Sequence, residues 1–388
     1  MKNLSLFFLL LNFSVVSGNW KEVNTPTNED LNKIEIIDGN AFCGGKNGVL
    51  LKSTDQGNTW EEVVTSASGT ITSILFVNSS VGFFSTSGGK IFKSTNGGTD
   101  WIEKPVHNGG INGIDFKDDL TGIAVGDNGN IFKTTDGGDN WADLGSQSIY
   151  MINDVAFIND TTAVAAGANG SYLFTINTGE TWTYKSTNQT ETYFAVEKKN
   201  NTTASIVGTN GSYTEFKEKN LSLDNIQKID TEGDWLRDIH FIHLNDSTIK
   251  GAIAGYNNSF YIENNGWKKW DVDSVINFNG LHFFNDSIGL AAGSNGRIFK
   301  TTTGGVPASK IDVIKVRLSL YPNPAKNYLF IEGDFNKNKI TIFNSLGQIV
   351  MHQTLTKNQI DISNIPNGNY YIQCISSTKI ASGIFTKK

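Results

Sequence analysis

The chain is short of cysteine, histidine and proline, and each shortage closes off a class of protein. Two cysteines, Cys43 and Cys374, in 388 residues exclude the dense disulfide framework of small secreted domains. One bridge between them would be permitted in an exported protein, but they read as two separate buried thiols, since free cysteine usually behaves as a small hydrophobe. Five histidines without HxH or HExxH spacing leave no ligand motif, so no metal and no cofactor are expected. Six prolines against 40 glycines, with no helix-period segment, make the chain all-β. Past the first eighteen residues no run approaches the ~18 apolar residues that argue for a membrane helix, so no transmembrane span is expected in the mature chain. No phosphate loop, GxSxG elbow or Cys/His nucleophile arrangement is present. Positive charge is also scarce where the chain is longest. Residues 307–388 hold 10 Lys and Arg against 4 Asp and Glu, and residues 1–306 hold 22 against 34, leaving −12 upstream and +6 in the tail. An acidic large domain lacks the basic face that phosphates require, which excludes nucleic acid as a partner.

What the chain has in abundance is repetition. GDNGNIFKTTDGGDNW, from Gly126 to Trp141, returns in versions beginning at Gly45, Gly88, Gly167, Gly208, Gly255 and Gly293. Trp60, Trp101, Trp141 and Trp182 fall 41, 40 and 41 residues apart, a period of four-stranded propeller blades. Each copy parses into an IxxIxF strand, an Asn/Asp/Ser turn, a second strand such as GIAVG, a GxNG turn, a third strand such as NIFKTT, and a fourth that starts at Trp. Asn and Gly suit the positive φ of the tight turn. The expectation is a seven-bladed β-propeller over residues 19–306. Its last copy stops before any Trp, and the sequence WKEV from Trp20 matches the WEEV from Trp60, so an N-terminal strand should close the ring. Residues 1–18 read as a secretory signal peptide: Lys2, an apolar run, then Ser17 and Gly18.

The segments STDQGNTW, STNGGTDW, TTDGGDNW and TINTGETW resemble the Asp box, or BNR repeat, of sialidases and many other propellers. Its acidic position holds Asp55 and Asp136 in two copies but Asn96 and Asn177 in two others. A charge needed for catalysis or Ca²⁺ would not exchange with an amide, whereas an oxygen accepting turn N–H groups would, so the box reads as structural. Trp60, Trp101, Trp141 and Trp182 should pack between blades, each burying roughly 150–250 Å². The whole repeat resembles the Ycf48/Hcf136-like family of photosystem II assembly factors, which implies the propeller fold but, lacking that family's clustered arginines, does not imply its role.

Enzymatic readings find little support. A sialidase would need three arginines, and residues 1–306 offer only Arg237 and Arg297. A glycosidase pair could come from the loop carboxylates Glu191, Glu232, Asp234 and Asp273, but their spacing singles out no pair. Glu35, Asp115, His240 and His282 share one register of the first strands and could converge near the axis. Ala156 and Leu75 hold the same register, which marks it as a packing position. The repeat is most degenerate in its fifth and sixth copies, where extra length precedes Trp235, and loops that break a repeat often carry binding. Asp234, Trp235, Arg237 and Tyr256, around that break, are the candidate binding residues; Trp235 and Trp267 both fall outside the anchor register.

After a linker, residues 307–316, the tail at 317–388 reads as a small Ig-like β-sandwich of about seven short strands. Its ordered motifs are YPNP (with Pro322, Asn323 and Pro324), ITIFNSLGQIV (with Gly347), and NIPNGNYYI (with Gly368 and Tyr370). They closely resemble the type IX (Por) secretion C-terminal sorting domain of Bacteroidetes. That resemblance implies passage through the periplasm, recognition by the type IX secretion machinery, and release or attachment at the cell surface. It also makes Asp160–Thr162, Asp246–Thr248 and Asp286–Ile288 candidate O-glycan acceptors, although plain Asx turns account for them. The expected protein is therefore a non-catalytic, surface-directed propeller that binds a protein or glycan through its loop face. A carbohydrate-active hydrolase using the loop carboxylates is the alternative.

Overall fold

Apolar residues alternate along each repeat and are punctuated by Asn-Gly turns, so each copy folds into one antiparallel sheet. The computed structural model describes residues 20–104, 106, 109–229, 233–245, 248–263, 266–269, 276–305, 314–332, 339–345, 347–355, 357–375 and 379–388. The chain divides into two units, Met1–Ala308 and Ser309–Lys388. The leader 1–18 and most of the linker lie outside the described residues, as do Glu232, Asp246 and Asp273.

Among the described residues the first unit contains seven sheets, each of four strands except the fifth, which has five. In chain order their first strands are Leu31–Ile37, Ile71–Phe76, Ile111–Phe116, Ile152–Phe157, Tyr193–Asn200, Leu236–Asn245 and Phe278–Phe283. Each first strand packs against the next, and the seventh packs back on the first, a propeller-like arrangement. Sheet 3 is typical, with Ile111–Phe116, Gly122–Gly126, Asn130–Thr134 and Ala142–Ser146 paired in that order. Its GxNG turn places Asn128 at φ 56° and Gly129 at φ 71°, the left-handed region that short Asn and Gly tolerate. At the other end of the sheets an Asx turn joins first strand to second. Asp118 accepts the N–H of Leu120 and Thr121, and Asn159 and Asn285 do the same for Thr161 and Thr162 and for Ser287 and Ile288. Two of the candidate O-glycan triplets therefore sit in capped turns.

The ring closes with the start of the chain. Lys21–Val23 pairs antiparallel with Ile298–Thr301, Lys21 opposite Lys300 and Val23 opposite Ile298, so it forms the fourth strand of sheet 7. Trp20 is 7% exposed and packs edge-on to Phe260 and Phe283 at 4.8 and 6.0 Å. Sheet 5 departs from the pattern: its outer strand is split into Ser222–Leu223 and Gln227–Lys228, both paired with Ser212–Lys217. Trp267, outside the anchor register in sequence, opens the fourth strand of sheet 6 and packs on Tyr213 of sheet 5. It is an inter-sheet anchor like Trp101, displaced only by loop length.

The second unit has eight described strands. Five form one sheet in the order Ile314–Arg317, Lys379–Lys387, Gly368–Ile375, Lys339–Asn344 and Ile349–Thr354, and three form another, Leu320–Tyr321, Tyr328–Ile331 and Gln359–Asp361. Leu329, Ile331, Ile340, Ile342, Ile360, Ile372 and Phe385 belong to one buried core. The motif residues mostly fasten the last strand. Asn323 donates to Ile384 O and accepts from Thr386 N, both at 3.0 Å. Pro322 and Pro324 follow cis peptide bonds, and Gly347 takes φ 79° in its turn. Tyr370, two residues beyond Gly368, donates to Pro366 O at 2.7 Å and stacks on Phe385. Cys43 is a buried free thiol, and Cys374 is buried in the core of the second unit.

Candidate functional site

Two places in the first unit gather chemistry-bearing side chains. Both derive from one irregularity, a bulge at the second residue of every first strand. A bulge re-aims a side chain. In five sheets the re-aimed residue bonds the neighbouring sheet: Asn32 to Ile71 O, Thr72 to Ile111 O, Asn112 to Ile152 O, Asn153 to Tyr193 O and Asn279 to Leu31 O.

The first place is a cavity of about 380 Å³ lined by the third and fifth residues of the first strands, among them Lys33, Glu35, Asp115, Asp154, Glu197, Asp238, His240 and His282. The four residues of the shared register do converge, but most of the carboxylates are already occupied. Asp115 accepts Phe157 N at 2.6 Å and Phe116 N at 2.8 Å. Asp154 accepts Val196 N and Val155 N at 3.0 Å. Asp238 accepts Leu281 N and the Lys33 ammonium, both at 2.8 Å. Each therefore ties its strand to the next or to a strand across the ring.

Burial outweighs those N–H bonds and pushes Asp115 up to about 7 and Asp154 to about 6. Burial likewise raises Glu197 to about 7. The His240 and His282 rings lie 4.0 Å apart. Burial and its charged neighbour hold His240 well below the usual imidazole value. Burial pulls His282 down too, but Glu35, 3.2 Å away, reverses this and leaves it raised. Among the described residues no group of three or more His, Cys, Asp or Glu is arranged to hold a metal ion.

The second place is the junction of sheets 5 and 6, where the bulged position holds Phe194 and Arg237 instead of an amide. Trp235 is 44% exposed, stacks on Tyr256 at 5.5 Å, and meets Phe194 at 5.5 Å. The Arg237 guanidinium lies 4.1 Å over the Phe194 ring and 5.5 Å from Tyr256. Its Nε is buried without a hydrogen-bond partner, and burial lowers its pKa. Three of the four candidate binding residues thus meet in one cluster. Asp234 stands beside it in a different capacity: 8% exposed, it accepts from Asn257 Nδ2 at 2.6 Å and Ser259 Oγ at 3.1 Å, fixing the turn that carries Tyr256. Glu191 is taken up by Lys228 at 2.8 Å, whose hydrogen bond lowers its pKa. Phe194 was not singled out in the sequence, although it holds the position that Asn112 and Asn153 hold in sheets 3 and 4, which marks it as an exception.

The four Asp boxes stand at the opposite end of the sheets from the GxNG turns. Asp55 Oδ1 accepts Asn58 N and Thr59 N at 3.0 and 2.9 Å, and the boxes of Asn96, Asp136 and Asn177 each accept the N–H four residues on.

Comparison with known proteins agrees with both units. Residues 319–386 match the model of the secretion system C-terminal sorting domain, and residues 16–111 match that of photosynthesis system II assembly factor YCF48. No curated protein matches the chain. Among solved structures, "YCF48 bound to D1 peptide" is 19% identical over 73% of this chain and 97% of its own, with a TM-score of 0.59. YCF48 from Cyanidioschyzon merolae is 18% identical over 73% and 98%, with a TM-score of 0.58. PorZ, a surface component of the type IX secretion system of Porphyromonas gingivalis, is 14% identical over 94% of this chain, which spans 60% of PorZ, with a TM-score of 0.55. At these identities the likeness is one of fold. The sorting match marks the protein as one secreted or attached at the cell surface. Among the described residues no helix is long and apolar enough to cross a membrane.

Proposed function

We propose that this exported protein is a non-catalytic, seven-bladed propeller that binds a protein ligand on the face formed by its inter-sheet loops and GxNG turns, and that its tail, an Ig-like sandwich, is the part the type IX secretion machinery recognises. The observation that carries the reading is the cluster of exposed Trp235 with half-buried Phe194, Tyr256 and Arg237 at the junction of sheets 5 and 6, where the side-chain bridge seen between sheets 1 to 5 is missing. Exposed aromatics beside arginine characterise interface hot spots. Segments that enter sheets 2 and 4 on the same face expose Val64 (95%), Ile149 (85%) and Met151 (42%), aliphatic surface that suits a protein better than a sugar. A relative of this fold is described as bound to a peptide, which makes a peptide-like ligand reasonable for the same scaffold.

The hydrolase alternative loses support from the occupied carboxylates. Asp234 and Glu191 serve turns and ion pairs, and Asp115 and Asp154 each accept two backbone N–H groups, which leaves neither placed as a nucleophile. The test is to screen the purified full chain against peptide and glycan arrays and chromogenic glycosides. Peptide binding that Trp235→Ala abolishes while the melting temperature stays within about 2 °C supports the proposal. Turnover of a glycoside, lost in Glu197→Gln, would replace it with a hydrolase.

A further inference from the structure

We infer that the junction of sheets 5 and 6 is a carboxylate receptor: Arg237, its guanidinium 4.1 Å over the Phe194 ring and 5.5 Å from that of Tyr256, supplies the cation for an acidic group on the bound protein segment. This rests on the proposed binding face and names the chemistry of its ligand. A buried charge is expensive unless it is paired and hydrogen-bonded. Among the described residues, however, Arg237 makes no salt bridge or hydrogen bond, and its Nε is orphaned in the interior. The nearby acids are committed elsewhere, Asp238 to Lys33 and Leu281, and Asp234 to Asn257 and Ser259.

Contact with the two rings confines the guanidinium, whose planar fork of N–H donors matches both oxygens of a carboxylate. At the equivalent position of sheet 3, Asn112 spends its amide on Ile152 O at 3.0 Å. Arg237 makes no such bond, so its donors remain free for something outside the ring. The charge sets the anion, and the aromatic rim sets the apolar surroundings.

A protein carboxylate fits better than a sugar acid. Trp235 is engaged by Tyr256 at an interplanar angle of 20° and by Phe194 at 36°, which leaves little free ring face for a pyranose. Met151, in the segment entering sheet 4, holds the place that Trp235 holds before sheet 6: both backbone oxygens accept the N–H that follows the second strand, from Ala168 and Tyr256. An extended segment leaving Arg237 would therefore meet aliphatic surface on the same face.

The chain contains three arginines, Arg237, Arg297 and Arg317, so the side-chain Nε–Hε resonances of the full chain can be resolved and titrated. The probes are N-acetyl-Leu-Ala-Leu as free acid, the same peptide as C-terminal amide, N-acetyl-Leu-Glu-Leu-amide, and galacturonate. The expected result is a saturable shift of the Arg237 resonance with the free acid, the glutamyl peptide or both, at least tenfold weaker with the neutral amide. The two acids separate a chain terminus from an acidic side chain. Arg237→Lys, which keeps the charge and loses the fork, should weaken the acid response at least fivefold, read from Trp fluorescence, with an unchanged melt. Equal responses to acid and amide, or no shift at all, would overturn the inference, and galacturonate binding more tightly than the peptides would replace it with an acidic-glycan site. Should Arg237 ignore carboxylates while peptide binding still depends on Trp235, the proposed function stands and only its anionic anchor falls.

Discussion

At the residue scale, the Asp boxes show that a repeated turn is specified by pairs. Asp55 accepts a hydrogen bond from the Thr59 hydroxyl, and Asp136 one from the Asn140 side-chain amide, at 2.7 and 2.8 Å. Where the acid becomes Asn96, its Nδ2 instead donates to Asp100 at 2.8 Å, and Asn177 donates to Thr181 at 2.9 Å. The exchange of Asp for Asn is matched four residues on by a change from donor to acceptor. Asn96→Asp alone should therefore set two carboxylates together and cost about 1 kcal/mol. Adding Asp100→Asn should recover most of the loss in urea melts, and an additive double mutant would argue against the pairing. The structural reading of the box was legible because four internal copies could be compared. The partner at the fourth position was not, since a surface residue of either kind suits a turn.

The raised acids that line the cavity give a second prediction at this scale. A carboxyl whose folded pKa exceeds its unfolded value binds protons more readily in the native state, so its contribution to stability is full below pH 4 and is lost as pH rises through the folded value. With Asp115 and Glu197 at about 7 and Asp154 at about 6, melting should fall from pH 5.5 to pH 8. His282, raised, adds to that trend, and His240, lowered, opposes it. Asp115→Asn keeps an acceptor for Phe157 N and should flatten the slope and raise the melt at pH 8 by a few degrees. An unchanged slope would show that Asp115 does not titrate there.

At the element scale, four of the seven sheets are joined to a neighbour by a lysine of the third strand that reaches the neighbour's Asp box. Lys52 bonds Gly97 O at 3.1 Å, Lys93 bonds Asp139 at 3.0 Å, Lys133 bonds Glu180, and Lys300 bonds Asn58 at 2.9 Å. Sheets 4 to 6 carry Phe174, Glu215 and Ile262 at that position. Between sheets 5 and 6 the polarity reverses: Lys199 of a first strand sits 3.0 Å from Glu215 and 3.2 Å from Glu263, and Tyr213 donates to Glu215 at 2.6 Å. Burial alone would raise Glu215, but Lys217, Tyr213 and Lys199 bring it down to about 2. Removing Lys199 leaves two half-buried carboxylates facing one another, so Lys199→Ala should cost roughly 2–4 kcal/mol, against under about 1 for Lys52→Ala; comparable losses would refute the inverted strap.

Seating the box also demands a glycine. Gly138 has φ 80°, and a Cβ there would collide with the Phe83 ring of the preceding sheet. Gly138→Ala should cost about 2–5 kcal/mol. The sheets themselves were readable from the period of the repeat, and the tight turns from Asn-Gly. The straps and Phe194 were not, because they depend on which side chains meet between sheets, and a single repeat contains no record of its neighbour.

At the scale of the whole molecule, the sequence predicted that Trp20 to Val23 would finish the last sheet, and Lys21–Val23 does pair with Ile298–Thr301. Deleting residues 19–24 removes the Trp20 anchor and exposes Phe260 and Phe283, and should lower the calorimetric melting temperature of the first unit by about 10 °C or more. A melt within about 2 °C of the intact chain would mean that the seam contributes nothing. The closure could be read because the final repeat lacks a strand that the first residues supply. The ligand could not, because binding residues answer to an outside molecule that leaves no period in the chain.

That seam also governs when the protein can finish folding. The partner of the earliest-made described strand is synthesised some 275 residues later, so during biosynthesis Lys21–Val23 has nothing to pair with until Ile298–Lys300 has been added. With its first and last sheets unjoined the circle stays open, so the first unit can reach its closed form only after nearly all of its residues have been made.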